Sequence, residues 1–179
     1  MAKLPILIAP HPKLRKVAAP VAEMDDSRRR LFDDMLETMY HAPGIGLAAP
    51  QVGVLERLIV LDCAGEGETP QPYRMVNPEI LWRAETTASF EEGCLSLPDL
   101  TAEVVRPTAV SLRYQDADGT PHEMDAEGLL ATVIQHEVDH LDGVLFVDHL
   151  SHLKRNMMLR KLSKQMQKSG KPAYAEASA

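Results

Sequence analysis

The chain lacks most features that mark secreted, disulfide-stabilised or membrane-spanning proteins. Its 179 residues include only two cysteines, too few for a disulfide framework and typical of a reducing compartment. No apolar run approaches the roughly 18 residues that a membrane span needs. The apolar run at residues 4–9 is too short for a secretory signal and contains Pro5. We therefore expect a cytoplasmic protein without membrane contact.

Internal repeats are also missing, and no glycine-rich segment has the spacing of a dinucleotide or phosphate loop. A chain of 179 residues with 45% hydrophobic composition is sized for one domain. Such a domain buries about 70% of the surface of its unfolded chain. What the chain does contain is three short segments rich in metal-binding, acidic or very small residues.

The segment with the clearest chemistry is Gln135-His-Glu-Val-Asp-His140, in an apolar stretch that begins at Gly128. Asp125 is the predicted N-cap of a helix here, and Gly143 is the predicted C-terminal stop. At about 100° per residue, two histidines four positions apart lie about 40° apart around the axis, close enough to share a divalent metal. The glutamate between them lies to one side, where it can serve as a general base.

A catalytic metal usually has three protein ligands and an open position, so one further donor is needed. The extended metzincin pattern would place a histidine where Phe146 stands. The thermolysin pattern would need a glutamate after His140, and only Glu176 is available there. His149, His152, upstream acids and the two cysteines stay open as donors. Cys63 follows an apolar run and is interpreted as an inert core residue.

The other two segments are Gly44-Ile-Gly-Leu-Ala-Ala-Pro-Gln51 and Glu92-Gly-Cys-Leu-Ser96. The first has two glycines and two alanines, which allow close backbone approach, and in the second Pro98 is predicted to end the segment soon after Cys94. Together with QHEVDHL at 135–141, these segments resemble the three signature motifs of the peptide deformylases, in the same order. The likeness runs from about His11 to Leu150.

This resemblance implies the metal ligands and the catalytic glutamate. Cys94, His136 and His140 would bind the ion, with water in the fourth position. A thiolate and two neutral imidazoles around a divalent ion leave a net charge near +1, enough to lower the pKa of a bound water. Glu137 would accept the proton of that water and pass it to the leaving amine.

The resemblance also implies how the substrate is held. The side-chain amide of Gln51 and the backbone N–H of Leu95 would stabilise the tetrahedral oxyanion. The substrate would be the N-formyl group on the initiator methionine of new polypeptides, with release of formate. Candidates for the methionine pocket are Ile45, Leu129 and Val133, although the last two equally suit core packing. Gly46 would offer backbone hydrogen bonds to the peptide.

Ion identity is less determined than ligand identity. The Irving–Williams order favours zinc over ferrous iron in a site of mixed sulfur and nitrogen ligands. The family resemblance instead implies Fe²⁺ in many members, with Zn²⁺, Ni²⁺ or Co²⁺ able to replace it.

Along the chain, Asp25-Asp-Ser27 predicts the start of a helix over 28–42, whose Leu31, Met35 and Met39 form a core stripe. Strands are predicted at 57–62, 73–76 and 110–114, with a hairpin turn at 116–119 and a surface loop at 65–70. Pro98 and Pro107 are taken to bound a loop or edge region. The expected fold class is α+β, with antiparallel or mixed β-sheets packed around a central metal-binding helix, and a C-terminal helix.

The C-terminal region has no acidic residue between 150 and 172 but seven Lys and Arg. The rest of the chain has 12 of the 19 basic residues and all 26 acidic ones. An apolar stripe is predicted on a basic amphipathic helix, at Leu153, Met157, Met158, Leu162 and Met166.

We assign residues 1–150 to a catalytic domain, and 151–179 to this helix and a flexible tail of the same domain. The simplest interpretation of the helix is that its apolar stripe docks it on the domain, and the alternative is electrostatic attachment to nucleic acid or a membrane surface. The family resemblance favours the ribosome near its exit tunnel, with no membrane contact and no direct DNA binding.

Two other functions stay open on the sequence alone. A metalloprotease or aminopeptidase would use the same HExxH segment, and formyl-Met and unblocked peptides distinguish the possibilities. A structural metal module would need no carboxylate beside His136, and closed structural sites usually use four protein ligands. Glu137 therefore favours an enzyme.

Overall fold

The computed structural model describes residues 2–170, which form three helices and seven strands. The helices are α1 (Asp26–His41), α2 (Gly128–Leu141) and α3 (His152–Lys168). The strands are β1 (Gly46–Ala48), β2 (Leu58–Leu61), β3 (Tyr73–Arg83), β4 (Thr87–Cys94), β5 (Leu97–Pro107), β6 (Ala109–Gln115) and β7 (Pro121–Glu127). Short 3-10 helices lie at Pro12–Arg15, Ala49–Val52 and Phe146–His149. This is the α+β class expected from the sequence.

The larger sheet has five antiparallel strands in the order β1-β2-β3-β6-β7, with a helix packed on each face. In β2, Ile59 and Leu61 join the core around α2, whereas Leu58 and Val60 join the core around α1. All four residues are fully buried. This strand is continuously apolar because a sheet covered on both faces has no solvent side.

The smaller sheet is the β4–β5 hairpin, which closes the other side of α2. Register pairs Cys94 with Leu97, so Leu95 and Ser96 form the turn at its tip. Leu97, Leu100 and Val104 of β5 pack with the N-terminal segment, the 3-10 helix at Phe146–His149 and α3 in a third core cluster. Helix α2, with His136 and His140, thus lies between the two sheets, as the predicted fold class expected.

The sequence predictions for α1 and the first strands are confirmed with small boundary shifts. Asp25 caps α1 by accepting a hydrogen bond from the N–H of Arg28, and Met35 and Met39 are fully buried. The predicted strand at 73–76 continues to Arg83, although Asn77 and Pro78 resemble a strand break. The strand continues because its register with β6 shifts between Val76 and Glu79, which accommodates the positive φ of 49° at Asn77.

The sequence predicts that Pro98 and Pro107 bound a loop or edge region. The loop is wrong because β5 spans both residues, whereas the edge alternative agrees with a strand that pairs only with β4. Pro98 lies where the β4–β5 register shifts, and Pro107 is the last residue of the strand. Proline is tolerated at both positions because neither residue has to donate a backbone N–H to β4. The other edge of β5 is unpaired in this two-stranded sheet.

Asp125 does not cap α2, which corrects the sequence prediction. It lies in β7 and accepts a hydrogen bond of 2.5 Å from Ser111, while Glu127 occupies the N-cap position. The chain passes from β7 directly into α2 through Gly128 at a φ of +59°, a conformation that favours glycine. At the other end, Gly143 at +73° follows the helix as predicted.

Helix α3 confirms the predicted C-terminal helix but only part of its apolar stripe. Leu162 is buried and Met158, Leu159 and Met166 pack beside it, whereas Leu153 and Met157 are 71% and 62% exposed. At about 100° per residue, Leu153 lies about 180° and Met157 about 140° from Leu162 around the axis. The predicted tail after 170 lies outside the described residues. Among residues 2–170, no helix is both long and apolar enough to cross a membrane.

Candidate metal centre

Cys94, His136 and His140 converge between the hairpin tip and α2. One ligand atom from each residue lies within 4.8 Å of the other two, and Sγ of Cys94 is 3.3 Å from Nε2 of His140. Metal bonds of about 2.0–2.3 Å in tetrahedral geometry place ligand atoms about 3.5 Å apart. The observed spacing therefore fits a single ion, and soft sulfur with two imidazoles suits a transition metal. Within residues 2–170, this is the one group of three or more His, Cys, Asp or Glu residues whose ligand atoms lie close enough to hold a metal ion.

His136 is held by a buried ion pair. Its Nδ1 lies 3.0 Å from Oε2 of Glu92, which leaves Nε2 for the ion. Arg106 donates to both oxygens of Glu92, from Nε at 2.5 Å and Nη2 at 3.0 Å. Burial opposes ionisation of Glu92, but hydrogen bonds from His136 and Arg106 outweigh it and lower its pKa. A charged carboxylate behind an imidazole fixes the tautomer that metal ligation needs.

His140 is fully enclosed. Burial lowers the pKa of His140 well below its usual value, so the ring is neutral and has a lone pair for a metal. The two histidine rings lie edge to face, with centroids 5.0 Å apart, and the Phe146 ring stacks against His136 at 6.2 Å. This apolar cover keeps bulk water from one side of the site.

Glu137 lies next to His136 on α2, and its carboxylate has no hydrogen bond to the other described residues. Its Oε2 is buried and has no hydrogen-bond partner among residues 2–170. Burial raises the pKa of Glu137 to about 7 in the metal-free protein. A Cβ on Gly46 would lie 2.3 Å from Oε1, so only glycine permits the observed approach of β1 to this carboxylate. An unpartnered acid beside a metal-ligand cluster is the arrangement expected of a general base.

Gln51 reaches the same place from the 3-10 helix after β1. Its Oε1 accepts from the N–H of Ala48 at 2.9 Å. That bond orients Nε2, which donates to Oγ of Ser96 at 3.1 Å and lies 3.5 Å from Sγ of Cys94. The amide is thus a fixed donor at the hairpin tip, next to Leu95.

A cavity of about 540 Å³ opens onto these groups. Ile45, Gly46, Leu129 and Val133, the residues predicted for the substrate pocket, all line it. Ile45 and Leu129 are 43% and 46% exposed at the surface, whereas Val133 is buried. Half-exposed apolar side chains beside a cavity can close around an apolar ligand. Cys63 lies apart in the core around α2, and burial with nearby Asp62 and Glu137 raises the pKa of its thiol to about 11.

Comparison with known proteins identifies the family of this chain. Residues 3–156 match the sequence model of the family described as polypeptide deformylase. A peptide deformylase of Phenylobacterium zucineum is 58% identical over 164 residues, covering 92% of this chain and 97% of the relative. The chain belongs to the peptide deformylase family.

Solved structures of peptide deformylases agree with this membership. The enzyme of Legionella pneumophila is 46% identical and superposes with a TM-score of 0.88, over 96% of this chain and 99% of that one. The Ehrlichia chaffeensis deformylase in complex with actinonin is 38% identical, with a TM-score of 0.88 over 92% and 98% of the two chains. The deformylase fold therefore extends over nearly the whole of both chains.

Several residues that support this deformylase site have no sequence signal of their own. Glu92 lies inside the EGCLS motif, yet nothing in the sequence predicts its bond to His136. Ser96 lies in the same motif, but nothing in the sequence predicts its bond to Gln51. Arg106 reaches the site only through the pairing of β5 with β4. His149, one of the donors left open, instead lies 2.8 Å from Asp139.

Proposed function

We infer that this chain removes the N-formyl group from the N-terminal formyl-methionine of new polypeptides, as a metal-dependent hydrolase. One observation carries the inference: Cys94, His136 and His140 meet beside the unpartnered carboxylate of Glu137, at a cavity in a chain of the deformylase family. Hydrolysis adds water across the formyl C–N bond and yields formate and a free amino terminus.

We propose Cys94, His136 and His140 as the ligands of one divalent ion. Bound there, the ion acts as a Lewis acid that makes water more acidic and polarises the formyl carbonyl. The Glu92 carboxylate orients His136, and burial keeps His140 neutral. Fe²⁺ is the proposed native ion, with Zn²⁺, Ni²⁺ or Co²⁺ able to replace it, and metal analysis after anaerobic purification tests this.

Glu137 is the proposed proton carrier. Its carboxylate accepts a proton from the attacking water and returns it to the nitrogen of the leaving amine, so that base and acid are the same group. Burial supports this role, because a carboxyl group whose pKa is raised toward neutrality can both take and release a proton.

The developing negative charge on the formyl oxygen needs donors that are already in place. We propose the side-chain Nε2 of Gln51 and the backbone N–H of Leu95 for this task. Gln51 is held by Ala48 and Ser96, so little reorganisation is needed when charge develops. Loss of one such donor typically raises the barrier by roughly 3–4 kcal/mol.

The proposed methionine pocket uses the apolar side chains of Ile45, Leu129 and Val133, with backbone groups of Gly46 bonded to the peptide. Formyl is the smallest acyl group, so a crowded cavity can admit it and exclude larger ones. We expect actinonin, which the E. chaffeensis enzyme holds, to compete with a formyl-Met peptide here.

We propose the cytoplasm as the location and the ribosome as a partner of α3, in the same domain as residues 1–150. Arg160 and Lys164 are exposed on the face opposite buried Leu162, together with Leu153 and Met157. Deleting the helix would remove Leu162 and uncover the core that it covers. The sharper test is Arg160→Glu with Lys164→Glu, which should weaken ribosome co-sedimentation and leave short-peptide turnover intact. Equal co-sedimentation of variant and parent contradicts the proposal.

The deformylase activity is tested by formate release from a formyl-Met peptide, with the unblocked peptide as control. Glu137→Gln should keep the metal, because it leaves all three ligands in place, and should lose most of the turnover. Formate release at the parent rate by a metal-loaded Glu137→Gln variant would remove Glu137 from the mechanism. Cleavage of the unblocked peptide would instead indicate a peptidase.

A further inference from the structure

One buried guanidinium joins the two elements that carry the metal ligands. Arg106 lies on β5 and bonds Glu92 of the neighbouring β4 through Nε and Nη2. Its Nη1 donates to Oδ2 of Asp139 on α2, at 2.8 Å. Glu92 is two residues from Cys94, and Asp139 immediately precedes His140. One planar group therefore links β4, which carries Cys94, to α2, which carries both histidines.

The charges explain why an arginine is needed there. The side chains of Arg106 and Glu92 are each only 5% exposed, and that of Asp139 is 24% exposed. Two carboxylates brought together in this environment would repel each other strongly without a cation between them. Arginine offers fixed donors in a planar fork and can bind both carboxylates at once, whereas lysine is a single point charge.

We propose that Arg106 is a positioning residue that holds β4 against α2, so that the metal ligands are already arranged before the ion binds. The proposal rests on the metal centre proposed above. Cys94 belongs to one element and both histidines to the other, so the ligand geometry depends on the relative position of β4 and α2. Arg106 also fixes Glu92, and through it the ring of His136.

Preorganisation of this kind acts on metal retention, in addition to any effect on folding. If β4 and α2 move apart in the absence of their link, the ion loses one of three protein ligands and dissociates sooner. Second-sphere groups of metal sites typically change metal affinity by about 10–100-fold. We expect a comparable acceleration of metal release when the Arg106 link is weakened.

The test uses the full chain loaded with Co²⁺, whose release to an excess of chelator is followed by its absorption spectrum. Arg106→Lys removes the fork, and Asp139→Asn weakens only the arm to α2. His149→Gln is a control, because His149 contacts Asp139 whereas the guanidinium of Arg106 bonds only Glu92 and Asp139 among the described residues. Arg57→Lys is a second control, because Arg57 bonds the end of α2 at Asp142 without reaching β4.

We expect Arg106→Lys and Asp139→Asn to release Co²⁺ about 10–100-fold faster than the parent, and both controls to release it at the parent rate. An altered Co²⁺ spectrum in Arg106→Lys would add support, since a purely structural role leaves the ligand geometry unchanged. Should Arg106→Lys fail to fold, Asp139→Asn decides the matter. Parent-like release by Asp139→Asn overturns the proposal, whereas failure of the parent chain to bind Co²⁺ overturns the metal centre itself.

Discussion

Gly46→Ala should impair catalysis without unfolding the protein or removing its metal. Gly46 lies in β1, paired with Leu61, and its φ lies outside the left-handed region, so alanine fits the backbone. The added Cβ would lie 2.3 Å from Oε1 of Glu137, whereas ordinary contact begins at 3.4 Å. The carboxylate must therefore move by about 1 Å, a displacement that can cost about 100-fold in rate.

A 100-fold loss corresponds to about 2.7 kcal/mol of transition-state stabilisation. The assay is kcat/KM for formate release from a formyl-Met peptide by metal-loaded enzyme, with metal content and Tm measured alongside. Gly65→Ala is the control, because it adds the same methyl group in a surface loop beside the flexible end of Glu68.

Introducing Gly46→Ala into a Glu137→Asp variant tests whether contact with Glu137 causes the loss of activity. Glu137→Asp shortens the side chain by one methylene and makes room for the new methyl group. Gly46→Ala should therefore cost less in the Glu137→Asp background than in the parent. Parent-like kcat/KM for Gly46→Ala, or an equal loss in both backgrounds, would refute the argument from contact with Glu137.

Three further predictions concern stability. Burial opposes ionisation of Asp148, but hydrogen bonds from Arg15 and a backbone N–H outweigh it and lower its pKa. Its stabilising effect is therefore present above the unfolded-state pKa of about 3.9 and lost as pH falls through the lower folded-state value. Urea titrations should show Asp148→Asn less stable than the parent by about 1–3 kcal/mol at pH 7, with the difference vanishing in acid. Gly143→Ala should lower the Tm, because φ is +73° and the new Cβ would lie 2.5 Å from the carbonyl oxygen of Arg15; the left-handed backbone alone costs about 1–2 kcal/mol. Leu162→Ala should cost about 2–5 kcal/mol and Leu153→Ala less than about 0.5 kcal/mol in the same titrations, and equal costs would contradict the observed orientation of α3.

Elements that depend on residues close together in the chain could be predicted from the sequence. The α1 cap at Asp25, the hairpin turn at 116–119 and the end of α2 before Gly143 depend on residues a few positions apart. The spacing of His136 and His140 on one helix is local in the same sense. The resemblance of three motifs to a family then named Cys94 as a companion ligand, which periodicity alone left among several donors.

Features that depend on strand pairing were harder to predict. Pro98 and Pro107 indicated a loop or edge region because proline disfavours a central strand, and β5 is an edge strand whose register shift accommodates Pro98. Asp125 resembled an N-cap because its type suits one, but pairing of β7 with β6 commits it to a strand. Tertiary context overrode the local preference in both cases.

The sequence by itself determined the chemistry of this protein: which side chains are available, their spacing along α2 and the lack of any disulfide framework. Only the tertiary structure decided how Cys94 approaches α2, how Arg106 and Glu92 stand behind His136, and why position 46 has no side chain. Those arrangements join residues tens of positions apart, and their geometry follows from the packing of β4, β5 and β1 around one helix, which no local pattern encodes.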